Sequence, residues 1–290
     1  IPKRVYLNGR FLPAESASIP VFDRGFIFGD GVYEVIPVYG KRLFRLPHHL
    51  QRLDMSLKAI GLRQPMGHGE WADVLQRVVR ENDAGDNGDQ SVYLQVTRGV
   101  AARDHAYPKD TAPTVFAYAQ ALTYPDPAQL RAGVTAITTP DVRWSRCDIK
   151  AIALLPNVMM RQAAIERGAA EAILIRDGHM TEGAASNIFV VEGGRLLTPP
   201  KGLYILPGIT RDLVVELAEA NGITCAEEDI SEQRLLAADE VWMTSSTKEI
   251  MPIVRVHEIA VGDGRPGPLH ARMYALYQQY KQAFRAGQAE

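Results

Sequence analysis

"EAILIRDGHMTEGAASNIFVVEGGRLLTPP", residues 171–200, alternates short apolar runs with the pairs Asp177-Gly178 and Gly193-Gly194. Such pairs supply the positive backbone angles of two-residue hairpin turns, so the stretch predicts strands joined by tight turns. Glu182 lies inside it, in the small-residue segment "MTEGAASNIF". Two readings of Glu182 are open: close packing that turns its carboxylate toward a ligand, or a solvated turn glutamate.

Upstream, "RWSRCDIKAIALLPNVMMRQAA", residues 143–164, carries one lysine at the edge of an apolar run. Lys150 desolvated by such neighbours suits Schiff-base or general-base chemistry. Alternatively its stem covers apolar surface and its head stays in water. A helix is predicted over 156–168, with Val158, Met159, Ala163 and Ile165 for packing, and "VTAITTPDVRW" reads as a strand before Lys150. Downstream, "GITRDLVVELAEANGI" has a helical period that stops at Asn221-Gly222. "ADEVWMTSS" returns to strand, and "LHARMYALYQQYKQAFRAG" reads as a helix.

The N-terminal half shows the same mixture. Strands are predicted at 4–7 and 10–12 around Asn8-Gly9, and a hairpin in "GDGVYEVIPVYGKRLFRL" around Gly40. Leu50, Leu53 and Leu57 recur at helical spacing over 47–60, with Gly61 as the stop, and a second helix spans 70–82. "SVYLQVTRG" and "PTVFAYAQAL" read as strands. Proline and polar residues in "TYPDPAQLRAG" suggest a linker at 123–132 between domains at 1–122 and 133–290. The expected class is α/β, two α+β halves with the site between them.

Composition narrows the function. Apolar residues make up 46% and charged residues 23%, with a formal net charge of -2. That balance gives no global pull toward nucleic acid or anionic lipid. No apolar run reaches membrane-spanning length, and "IPKRVYLNGRF" has no signal-peptide pattern. Cys147 and Cys225 lack CxxC spacing, which argues against a metal site or disulfide framework and for a reducing, cytoplasmic compartment.

Three segments suit a phosphate. "LPGITRD" sets Gly208, Ile209 and Thr210 at a helix start, where free N–H groups and the helix dipole favour an anion; Thr210 equally fits a helix cap. "TSSTKE", residues 244–249, ends a strand with four hydroxyls and also matches a capping box from Ser246 to Glu249. Arg52 in "HHLQRLD" suits a charged clamp or a surface pair. In "ARDHAYP", an extended loop would point Arg103 and His105 the same way, a cationic pair suited to a carboxylate or simply a solvated loop.

The ordered set "DRGFIFGDGVYEV", "HHLQRLDMS", "YLQVTRG", "RCDIKAIALLPNV", "EAILIRDGHMTEGAASNIF", "LPGITRD" and "VWMTSSTKEIMPI" spans essentially the whole chain. It resembles the fold-type IV pyridoxal-phosphate enzymes: branched-chain and D-amino-acid aminotransferases and aminodeoxychorismate lyase. The resemblance implies a small N-terminal α/β domain and a larger, β-barrel-like C-terminal α/β domain binding pyridoxal 5′-phosphate. It implies that Lys150 is the Schiff-base lysine and moves the α-proton, and that Glu182 bonds the pyridine nitrogen. Arg52, Leu206, Ile209, Thr210, Ser245 and Ser246 would complete the cofactor site. The family often has Ser-Thr or Gly-Thr where Ser245-Ser246 stands, and a hydroxyl is retained.

"GDGVYEVIPVY" and the Arg-x-His loop are most similar to the D-amino-acid aminotransferases, where the matching residues grip the substrate α-carboxylate. That implies such a role for Tyr33, Arg103 and His105, D-alanine and 2-oxo acids such as 2-oxoglutarate as substrates, and a homodimer contributing part of the loop. An L-branched-chain aminotransferase and an aminodeoxychorismate lyase are the alternatives. Asp104 would partly neutralise Arg103 if it turned inward, but an extended loop points it away.

Overall fold

The computed structural model describes residues 2–82 and 88–289. The chain gathers into two compact units, one of Ile1–Thr123, Ile149–Ala153 and Ala283–Glu290, the other of Tyr124–Asp148 and Leu154–Gln282.

The first unit contains β1 (Arg4–Leu7), β2 (Arg10–Pro13), α1 (Arg24–Phe28), β3 (Gly31–Tyr39), β4 (Arg42–Leu43), α2 (Leu46–Ala59), α3 (His68–Glu81), β5 (Gln90–Thr97) and β6 (Thr114–Ala121). Its strands form an antiparallel sheet in the order β2-β1-β6-β5-β3-β4. In β3 the residues Val32, Glu34 and Ile36 are buried while Tyr33 and Val35 are only partly so, the period-two pattern of a sheet with one core face. α2 buries Leu50, Leu53 and Leu57, and α3 buries Trp71, Leu75 and Val78, against that face. On the other face Tyr93 stacks with Tyr33 and Tyr118.

The second unit contains α4 (Pro127–Ala132), β7 (Val134–Pro140), α5 (Leu155–Glu166), β8 (Glu171–Arg176), β9 (His179–Gly183), β10 (Asn187–Glu192), β11 (Arg195–Thr198), α6 (Ile209–Ala220), β12 (Cys225–Glu227), α7 (Glu232–Leu236), β13 (Glu240–Ser245), β14 (Glu249–Val256), β15 (Ile259–Ala260) and α8 (Pro268–Arg285), whose end belongs to the first unit. The strand order is β12-β11-β10-β13-β14-β7-β8-β9, with β15 on β14. The sheet is mixed: β7 runs parallel to both β8 and β14, and α5 makes the β7-to-β8 crossover. Asp177 and Gly178 (φ 51° and 75°), and Gly193 and Gly194 (φ 55° and 78°), make the two expected hairpin turns.

The stretch expected as a linker contains α4. Asp126 caps it by accepting from the Ala128 amide, Pro127 occupies its first turn, and Gly133 ends it. No described helix is long and apolar enough to cross a membrane.

Candidate active site

Lys150 belongs to the short segment of the first unit that lies against β3. Its carbonyl accepts from the Tyr33 amide at 3.0 Å, its amide donates to Ser56 Oγ at 3.2 Å, and the Ile152 amide donates to the Gly31 carbonyl at 3.1 Å. The backbone on both sides is thus fixed, and the freedom left to the lysine is that of its side chain. Its Nζ lies 4.2 Å from the centre of the Tyr33 ring, a cation–π distance, and the residue is half-buried.

Beneath it is a buried charge network that residue-by-residue reading passed over. Glu34 is fully buried on β3 and takes both Nε (2.8 Å) and Nη2 (2.7 Å) of Arg52 from α2. His49 Nδ1, one helical turn before Arg52, lies 2.7 Å from Glu34 Oε2. Burial opposes ionisation of Glu34, but the charge and hydrogen bonds of Arg52, with the bond from His49, outweigh it and hold the carboxyl down at about 2. An ionised carboxylate only accepts, so Nδ1 carries the hydrogen of that bond. Burial holds His49 below its ordinary value despite Glu34, and the charges of Arg52 and Lys150 add to the effect. Arg52 is therefore neither solvated nor a surface pair. A lone glutamate in the apolar run "GVYEVIPVY" was the available signal for its partner.

Arg103 and His105 are exposed on the loop between β5 and β6. Among the described residues no hydrogen bond or ring contact joins either to Tyr33 or Lys150. Asp104 Oδ1 accepts from the Ala106 amide at 3.3 Å, so its carboxylate serves its own loop rather than Arg103.

In the second unit Glu182 is 5% exposed on β9, which removes the solvated reading. Its Oε1 accepts from Arg143 Nη1, and its Oε2 accepts from Asn187 Nδ2 and from the Leu206 amide, both at 3.1 Å. Arg143 also binds Asp141 through Nε (2.9 Å) and Nη2 (2.8 Å). Burial disfavours the ionised Asp141, yet its bonds to Arg143 hold it below the usual carboxylate range. Burial likewise opposes the Arg143 charge, and Asp141 and Glu182 more than offset it, so the guanidinium stays charged.

Asn187, the first residue of β10, gathers the segments that the sequence kept apart. Its Nδ2 reaches Glu182 and also the Leu206 carbonyl at 3.0 Å. It faces Thr244 across the ladder to β13, and Gly208 packs so tightly on its Oδ1 that no side chain would fit there. "MTEGAASNIF", "LPGITRD" and "VWMTSS" therefore converge on one asparagine. Strand register places Asn187, and Arg143 lies in the segment after β7, where no local pattern marks it.

Ile209 and Thr210 open α6, whose cap is Gly208 without a side-chain bond, so Thr210 is not the cap. The first-turn amides of α6 have no acceptor within the helix. No capping box forms at 246–249, because that stretch is the hairpin turn between β13 and β14. The Lys248 amide donates to Ser245 Oγ at 3.1 Å, and Glu249 instead enters β14, buried against Lys281 Nζ at 2.6 Å. The Ser246 hydroxyl has no hydrogen bond among the described residues. A buried carboxylate thus sits, through Asn187, near a helix start and a hydroxyl-rich turn. This donor set fits a ring nitrogen at one end and a phosphate at the other.

The model of the family described as amino-transferase class IV matches residues 31–256. A D-alanine aminotransferase of Bacillus licheniformis is 44% identical over 275 residues, covering 95% of this chain and 96% of that protein. Another, from Listeria monocytogenes serotype 1/2a (strain 10403S), is 39% identical and covers 94% of both chains. Among solved structures, a T.th. branched-chain amino acid aminotransferase with pyridoxamine 5′-phosphate superposes with a TM-score of 0.92 at 25% identity, over 99% of this chain and 97% of that one. With the family model spanning most of its length and such relatives covering nearly all of it, the chain belongs to the class IV aminotransferases.

Proposed function

We propose that the protein is a pyridoxal 5′-phosphate-dependent D-amino-acid aminotransferase that moves an amino group from D-alanine-like donors to 2-oxo acids such as 2-oxoglutarate. The observation that carries the cofactor reading is Glu182, a buried carboxylate tied through Asn187 to the donor-rich segments at 206–210 and 244–246. The choice of D-amino acids draws on relatives named D-alanine aminotransferase across nearly their full length. The branched-chain enzymes share the fold at lower identity.

Arg52, Ile209, Thr210, Ser245 and Ser246 would hold the phosphate end of the cofactor, Leu206 would line the site beside Glu182, and Glu182 would accept a hydrogen bond from its ring nitrogen. When bound, the cofactor supplies an electron sink for the pair left on the substrate α-carbon by proton loss. Lys150 Nζ takes that α-proton and returns it on the other side of the transfer, from a backbone already fixed against β3. Arg143 sets a positive charge against Glu182, and the carboxylate would in turn stabilise a proton on the ring nitrogen. Tyr33, Arg103 and His105 bind the substrate α-carboxylate, and the face on which it is held decides which enantiomer turns its α-hydrogen toward Lys150. The homodimer belongs to the same proposal, part of the Arg103 loop serving the neighbouring subunit. So does a cytoplasmic location, in keeping with two free thiols.

The test mixes holoenzyme with D-alanine, L-alanine or L-leucine, without any oxo acid, and follows the cofactor's visible absorbance. Bleaching by D-alanine alone, with pyruvate formed in proportion to enzyme, is the expected result. Bleaching by L-leucine instead would keep the cofactor residues and overturn the roles of Arg103 and His105. Catalytic pyruvate release with no acceptor would indicate a lyase.

A further inference from the structure

Phe28 ends α1 and turns one ring toward three cationic or ionisable side chains. The Arg24 guanidinium carbon lies 4.8 Å from its centre, that of Arg103 5.3 Å, and the His105 ring centre 5.5 Å at an angle of 42°. Among the described residues Arg103 has no ion pair or side-chain hydrogen bond, and neither His105 ring nitrogen has a partner. Their polar atoms are uncommitted, and the Phe28 ring is what orients both.

The loop behind them is held by hydrogen bonds of its own. Asp30 Oδ2 accepts from Arg24 Nε and Arg98 Nε, both at 2.8 Å. Arg24 Nη1 then donates to the Asp104 carbonyl at 2.5 Å, between the two cationic residues. Arg98 donates to the Ile60 carbonyl at 2.7 Å and lies 3.6 Å from the centre of the Tyr107 ring. The loop is thus gripped at the Asp104 carbonyl and the Tyr107 ring by two buried arginines that share one carboxylate oxygen. What remains free is the direction of the Arg103 and His105 side chains.

We infer that Phe28 is a specificity-determining positioning residue: its ring face aims the Arg103 guanidinium and the His105 imidazole at the substrate α-carboxylate, on a loop anchored by Arg24, Asp30 and Arg98. The inference rests on the proposed reading of Arg103 and His105 as the carboxylate site. An aromatic face attracts a guanidinium through its quadrupole, and an aliphatic side chain of similar bulk does not.

The experiment is a double-mutant cycle on the holoenzyme with Phe28→Leu, Phe28→Tyr, Arg103→Ala and the Phe28→Leu/Arg103→Ala pair. Thermal midpoints and half-saturation by pyridoxal 5′-phosphate are measured beside steady-state kinetics. Phe28→Leu is expected to raise KM for D-alanine about three- to fivefold, with kcat and cofactor binding little changed, and Phe28→Tyr to restore KM. In the Arg103→Ala background the Phe28→Leu effect should shrink to the part carried by His105, since one of its two objects has gone. An undiminished effect in that background, or no rescue by tyrosine at equal stability, overturns the inference. If Arg103→Ala alone leaves KM unchanged, the reading of the loop falls, and the inference with it.

Discussion

Replacing Glu34 by glutamine keeps its shape and removes its charge. Arg52 donates to both oxygens through different nitrogens. Whichever way the new amide turns, its NH2 group therefore meets an arginine donor. Lowering a carboxyl from 4.5 to about 2 corresponds to about 3 kcal/mol in favour of the ionised form in the fold. Removing one partner of a buried ion pair costs about 3–5 kcal/mol, which agrees. For a chain of 290 residues, 3 kcal/mol lowers the thermal midpoint by about 5 °C. The pH dependence is a second, independent readout. Glu34 stabilises the parent fully above its unfolded value of 4.5 and loses that contribution as the pH falls through about 2. The gap between parent and Glu34→Gln, measured by calorimetry or urea titration, should accordingly be full near neutrality and close across that acid window. A midpoint within about 1 °C of the parent at neutral pH, or a gap that stays constant on acidification, would refute the reasoning.

Lys150→Ala should reduce transamination by about 10²- to 10⁴-fold or more while the far-UV spectrum and thermal midpoint stay near the parent's; retained turnover would sink its assignment as base. Gly208→Ala has an allowed backbone but drives its Cβ into Asn187 Oδ1. Loosening the bonds from Asn187 to Glu182 and Leu206 should cost about 1–3 kcal/mol and weaken cofactor binding, both visible in melting curves with and without pyridoxal phosphate. Arg143→Met leaves Glu182 without its cation and Asp141 with the longer contact to Arg176 at 3.3 Å. Stability should fall by about 3–5 kcal/mol near neutral pH, and the deficit should shrink on mild acidification, because protonation relieves the buried carboxylates. A deficit that grows with acidity would show that Arg143 acts otherwise.

How much of this was legible in the sequence depended on whether the decisive interaction was local. The hairpin turns at 177–178 and 193–194 and the leucine spacing of α2 are local, and they were readable. The signals of α4 were equally local, an Asp-Pro start and a Gly stop, but its proline-rich surroundings read as linker. β14 was not among the expected strands, and its Pro252 is a residue that argues against an inner strand. In the fold β7 pairs with β14 only from Ile253 onward, so Pro252 lies where β14 has a single neighbour, β13. "TSSTKE" shows the converse error. The hydroxyl and acid at capping-box spacing flank a hairpin turn, where Ser245 rather than Ser246 accepts from the Lys248 amide and Glu249 pairs with Lys281. The motif specifies a local bond, and the flanking strands decide which element it serves.

The two buried glutamates show why residue type alone could not separate support from site. Each faces an arginine, yet the surroundings divide their roles. Glu34 is fully enclosed, and both its oxygens are taken by Arg52 and His49, so its whole capacity goes to orienting a cation. Glu182 is fixed from behind by Arg143, while Asn187 and the Leu206 amide set the plane of its other oxygen. The arginine sets a cation behind the group and the neutral donors aim it, an arrangement suited to stabilising a proton on a ring nitrogen. That division of labour depends on which strand delivers which donor, and β9, β10 and the segment before α6 come together only in the folded sheet.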